Sequence, residues 1–108
     1  MLLSQIKQLL DHSLSIESFR QAIESEIGPY KEAYRQKEVT IPVHLKEDIY
    51  YLFTATAFEA LQQLHLSGGL AGYEVSYICD ALSLSEMTLY DDDSLAAQVE
   101  SLVIHDHN

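Results

Sequence analysis

Residues Val43–Leu66 read VHLKEDIYYLFTATAFEALQQLHL, the longest uninterrupted helical pattern in the chain. Leu45, Ile49, Leu52, Phe53, Thr56, Ala60 and Leu64 step by three and four residues and so share one face of an α-helix. Tyr50, Ala57 and Leu61 widen that face, while Tyr51, Ala55 and Phe58 place apolar groups on the other side. A helix this apolar is expected to touch neighbours on several sides. At full length it would run about 36 Å, which makes it the expected central helix of the domain. It also marks a charge boundary, because Lys46 in its first turn is the last Lys or Arg of the chain.

On the N-terminal side, Leu2, Leu3, Ile6, Leu9 and Leu10 predict an amphipathic helix over residues 1–12. Ser15 is placed to N-cap a second helix, Ile16 to Ile27, whose stripe is Ile16, Phe19, Ile23 and Ile27. Gly28-Pro29 is expected to end it, and Pro29 to open a short helix through Lys37 with Tyr30, Ala33 and Tyr34 on one side. Glu38 to Pro42 reads as extended, since Ile41 precedes a proline. On the C-terminal side, the glycines of Ser67–Gly72 have no preceding strand and no following Lys. They therefore read as a helix-to-helix turn and not as a phosphate loop. Tyr73 to Leu84 predicts a helix with Val75, Ile78, Cys79 and Leu82 inward. Ser85 to Asp93 reads as a loop, and Ser94 to Ile104 as a last helix burying Leu95, Val99, Leu102 and Val103, with residues 105–108 fraying. The fold class is all-α: a single compact domain, residues 1–108, of five or six helices around the long central one.

Composition agrees with that class. Four Gly and two Pro in 108 residues leave few turns, and a hydrophobic content of 47% fits a globular domain. One cysteine forms no internal disulfide, as in a reducing cytosol. The opening MLLSQIKQLLDHS lacks the basic and apolar blocks of a signal peptide, and no apolar run approaches a bilayer's width, so the expected location is cytoplasmic.

The net charge of −11 is unevenly placed. Residues 1–46 balance six acids against six bases, whereas residues 47–108 carry eleven acids and neither Lys nor Arg. Acidity serves solubility in any domain, but forgoing all basic residues also forgoes surface ion pairs and makes the chain repel itself. Such a field repels nucleic acid and anionic lipid and attracts a basic protein.

No residue set carries a catalytic signature. Cys79 lies among Val75, Ile78 and Leu82 on the apolar stripe and reads as core, because a reactive thiol needs an electropositive, accessible setting. Asp91-Asp92-Asp93 lacks the alternate spacing of a calcium loop. One of the three suits the N-cap of the last helix, and two readings stay open: the aspartates only cap, or they cap and also meet a partner. His105 and His107 have no second ligand pair, and His12, His44 and His65 are isolated. The expectation is a non-enzyme with no cofactor and no metal. Seven Tyr and no Trp is a tyrosine-rich composition. Tyr amid acids serves either the edge of a core or a surface for a Lys- and Arg-rich partner. The candidate partner-binding residues are Glu74, Tyr77, Asp80, Glu86, Tyr90, Asp91, Asp92 and Asp93.

The segment Gly72 to Glu86, GYEVSYICDALSLSE, with TLYDDD after it, resembles the C-terminal part of small helical bacterial immunity proteins. Those are cytoplasmic antidotes made beside polymorphic toxins, including toxins of contact-dependent growth inhibition. The resemblance implies a toxic protein domain as partner, often a nuclease; ribonuclease is the favoured activity, and the free chain is expected to be a monomer. It assigns no site residue. A nuclease is basic because it holds phosphates, so the implied partner has the sign of charge that the composition calls for. The alternative from a different class is a cytosolic adaptor or regulatory subunit that docks a basic protein without inhibiting an enzyme.

Overall fold

Ile49-Tyr50-Tyr51-Leu52-Phe53-Thr54 is rich in aromatic and β-branched residues, and it divides the expected central helix. Tyr51–Phe53 forms a strand, β1, with Tyr51 and Phe53 buried and Leu52 exposed. Thr54 then leaves helical dihedrals at φ −111°, and its hydroxyl accepts from the Ala57 N–H at 3.2 Å, capping a shorter helix. The computed structural model describes the backbone of residues 1–36 and 43–106 and the side chains of 1–35 and 43–102. The expected extended stretch Glu38–Pro42, Lys37, the side chain of Val103 and residues 107–108 lie outside those described residues, while the expected fraying fails at His105 and Asp106, where the last helix still continues.

In chain order the elements are α1 (Leu3–Leu10), α2 (Ile16–Gln36), β1, α3 (Ala55–Leu66), α4 (Gly72–Leu84), β2 (Thr88–Tyr90) and α5 (Asp93–Asp106). The protein is thus mostly helical. All-α needs one correction, because β1 and β2 pair in parallel with Tyr51 opposite Thr88, Leu52 opposite Leu89 and Phe53 opposite Tyr90. The crossover between the two strands consists of α3 and α4.

The buried centre is α4, not Val43–Leu66. Val75, Tyr77, Ile78, Cys79, Ala81 and Leu82 of α4 are all buried, and the helix packs against α2, α3 and α5. Around it lie Leu3, Ile6, Leu9 and Leu10 of α1, Phe19 and Ile23 of α2, Phe58 and Leu61 of α3, and Leu95 and Val99 of α5. Cys79 is fully buried.

Gly28-Pro29 does not end α2. A proline inside a helix costs about 3 kcal/mol or more, so something must hold the continuation in place. Beyond Pro29, Tyr30 and Ala33 are buried. The Tyr30 ring meets Tyr77 edge-on with centroids 4.8 Å apart, and its hydroxyl donates to Asp80 of α4. Ser15 caps α2 as expected, its Oγ accepting from the Ser18 N–H at 3.1 Å.

Residues 43–50 run irregularly but are pinned from several sides. The Leu3 N–H donates to the Lys46 carbonyl at 2.9 Å, and Asp48 accepts from the Ser4 N–H at 3.0 Å. Glu47 accepts from the Ser85 hydroxyl and from the Met87 N–H, the latter at 2.9 Å. These bonds deliver the chain to β1 beside α1.

Candidate partner-binding surface

Glu74, Tyr77 and Asp80 follow one another at three-residue steps and so share a face of α4, which the sequence reading assigned to a partner. The structure turns that face to α2. Glu74 is only 3% exposed and is held by Arg20, and Tyr77 is fully buried. The Tyr77 hydroxyl donates to Glu26 Oε1 at 2.8 Å and accepts from the His44 N–H at 3.1 Å. Asp80 is half-buried under the Tyr30 hydroxyl. Glu74 and Tyr77 are therefore removed from the candidate surface, because their polar atoms are spent joining α4 to α2 and to the 43–50 stretch. Tyr90 is half-buried as well. Its hydroxyl donates to the Leu82 carbonyl at 3.2 Å, and its ring lies edge-on to Phe53 at 5.7 Å.

Glu86, Asp91, Asp92 and Asp93 remain, and all four are exposed. The expected loop Ser85–Asp93 contains β2, so these acids sit at fixed places around a strand. Glu86 precedes β2. Asp91 directly follows it, and its N–H donates to the Phe53 carbonyl at 3.0 Å. Asp92 caps α5 by accepting from the Ser94 N–H at 2.8 Å, and Asp93 occupies the first turn of that helix. The bonds from the Ser94 backbone and side chain hold the Asp92 carboxyl below the usual range. Those from Ser85 and Met87 do the same for Glu47. Both carboxylates are charged at neutral pH.

Between Glu86 and Asp91 the sheet shows an apolar outer face. Leu52 and Leu89 are register partners, 54% and 57% exposed, and Tyr50 two residues before Leu52 is 76% exposed. A helical period over 43–66 assigns Tyr50 and Leu52 to an apolar helix face, and reading Ser85–Asp93 as a loop gives Leu89 no strand partner. The aromatic and β-branched run from Ile49 and the capping Thr54 were the signals of a strand.

Bases near this face are few. Lys7 borders Leu52 in a cleft between α1 and β1, and it is paired with Asp11 at 3.2 Å. Lys46 has Asp48 as a neighbouring acid. Among the described residues no three His, Cys, Asp or Glu side chains gather as a metal-binding group, and no helix is long and apolar enough to cross a membrane. No family model, curated protein or solved structure matches the chain.

Proposed function

We propose that the chain is a non-catalytic, cytoplasmic immunity protein, monomeric when free, that captures a basic toxin domain and neutralises it. The toxin is a nuclease, with ribonuclease the first activity to test. One observation carries this reading: the surface of residues 47–108 exposes Asp48, Glu59, Glu86, Asp91, Asp92, Asp93 and Glu100 with no Lys or Arg of its own to offset them. That field steers a basic domain and raises its association rate. An inhibitor of a nuclease has reason to be this acidic, because the enzyme's substrate groove is itself built to attract phosphate.

The test is co-expression of the chain with the product of the gene next to its own, followed by kinetics on the purified pair. Rescue of growth, loss of nuclease activity and an association rate that falls steeply as salt shortens the field to about 8 Å support the reading. Binding with full nuclease activity retained would instead make the chain an adaptor. Absence of binding would end both readings.

A further inference from the structure

The outer face of the β1–β2 sheet is a feature that the fold leaves unexplained. Parallel sheets occur almost always with both faces covered, usually by helices. Here Tyr51, Phe53 and Thr88 cover the inner side against the core, while Tyr50, Leu52 and Leu89 stand 76%, 54% and 57% exposed on the other. Leu52 and Leu89 sit opposite each other in register, on strands about 4.8 Å apart, so their side chains form one apolar strip. Acids close it at both ends, Glu86 before β2 and Asp91 after it.

We infer that this face is the seat of a basic amphipathic helix of the partner. The inference rests on reading the chain as a binder of a basic protein. Charge complementarity selects the partner, because the strip is bounded by acids, residues 47–108 contain no Lys or Arg, and Lys7, which borders Leu52, is paired with Asp11. A second copy of this chain would bring Glu86 and Asp91 against their own kind, at a net charge of −11 per chain. An extended occupant would pair along a strand edge, of β1 or of β2, and so would lie beside the apolar strip and not upon it. Tyr51 and Phe53 bond toward β2 through the Met87 carbonyl and the Asp91 N–H, so within β1 only the Leu52 N–H and carbonyl point outward. A helix about 10 Å across matches the width of two strands. It would lay apolar residues on Tyr50, Leu52 and Leu89 and flanking Lys or Arg toward Glu86 and Asp91.

The experiment uses two synthetic Leu/Lys peptides of identical composition, one patterned with a period of about 3.6 and one alternating with a period of about 2. Binding is followed by amide chemical shifts of the isotope-labelled full chain. The helical peptide should bind at least about tenfold more tightly than the alternating one, with shifts centred on Tyr50, Leu52, Leu89 and Asp91. The double variant Leu52→Thr/Leu89→Thr keeps strand-forming residues and should weaken binding by about tenfold or more. Leu66→Thr, at another exposed leucine, should leave it unchanged. Should the double variant fail to fold by circular dichroism, Leu89→Thr and the shift map of the wild type decide.

Tighter binding of the alternating peptide overturns the helical occupant in favour of an added strand. Shifts centred elsewhere overturn the site. Self-association that the double variant abolishes assigns the face to a second copy. The two readings separate cleanly. If the double variant captures the toxin domain at the wild-type rate, this site falls and the immunity reading stands. If the helical peptide binds here and no basic domain is captured, the immunity reading falls and the site stands.

Discussion

The Arg20 guanidinium grips the Glu74 carboxylate along two contacts, Nε to Oε2 at 2.8 Å and Nη2 to Oε1 at 2.7 Å. The same Nη2 donates to the Gly69 carbonyl at 2.8 Å, and Glu74 Oε1 accepts the Ala71 N–H at 2.8 Å. Among the described residues this is the one side-chain ion pair between the charge-balanced residues 1–46 and the acidic residues 47–108. It locks α2 to the start of α4.

Acid should weaken this lock in a defined window. Burial alone raises the Glu74 carboxyl, but the bonds from Arg20 and Ala71 outweigh it and hold the group below its ordinary 4.5. A carboxyl lowered by folding contributes stability above the unfolded value, and that contribution is lost as pH falls through the folded one. Urea denaturation from pH 6 to pH 3 should therefore show wild type losing more stability than Glu74→Gln. Parallel pH profiles would show that the pair contributes nothing.

Arg20→Met at pH 7 leaves the Glu74 carboxylate buried without its cation. The guanidinium is nearly half exposed, so the cost of a fully buried pair must be discounted to about 1–2 kcal/mol. Adding Glu74→Gln in that background should recover part of the loss. Additive effects of the two changes would refute the coupling.

Alkali should act through the tyrosines. Burial raises the ionisation of Tyr30, Tyr51, Tyr77 and Tyr90, with Tyr51 pushed up to about 12. Raised groups contribute stability below their unfolded value of about 10, and it is lost as pH climbs through the folded values. Phenolate absorbance should accordingly rise in two stages, the later one together with loss of helical circular dichroism. A single stage in a still-folded protein would contradict the burial. Tyr77→Phe, which strips the Glu26 carboxylate and the His44 N–H of a partner, should cost about 1–2 kcal/mol.

Backbone substitutions should split by sign. Gly28 lies inside α2 with open space where a Cβ would point, so Gly28→Ala should stabilise by about 0.5–1 kcal/mol. His12 follows α1 at φ 67°, a left-handed position that favours glycine, so His12→Gly should also raise the melting temperature. Gly69→Ala should lower it, because the new Cβ meets Ile16 Cδ1 at 3.0 Å and the Leu64 carbonyl at 3.2 Å. For a domain of about 100 residues, 1 kcal/mol moves the midpoint by about 4–8 °C, well within thermal-scan precision.

Glu47→Ala removes the acceptor that ties the Ser85 hydroxyl and the Met87 N–H to the stretch before β1. Hydrogen exchange should then speed up at Tyr51, whose N–H donates to the Met87 carbonyl, before it changes at Ile78 in α4. Equal acceleration at both would show that the strand pair opens only when the whole domain does.

Several features of this protein were determined by local sequence and read correctly from it. The apolar faces of α1, α4 and α5 follow from spacing alone, and the Ser15 cap and an aspartate cap on α5 from residue type and position, since a helix satisfies its backbone from neighbours three and four residues away. The uneven placement of charge is composition itself. What only the tertiary structure decided depends on partners distant in the chain. Ile49–Phe53 fits a helical stripe and a strand equally well, and Tyr51–Phe53 becomes a strand because Thr88–Tyr90 supplies the parallel edge. The helix crosses Pro29 because Tyr77 and Asp80 hold Tyr30. Glu74 and Tyr77 look like surface residues on a helical wheel, yet the wheel carries no information about which side α2 covers. The same distant pairing moves Leu52 from an expected core to the outer face beside Leu89, because a strand turns alternate side chains to opposite faces.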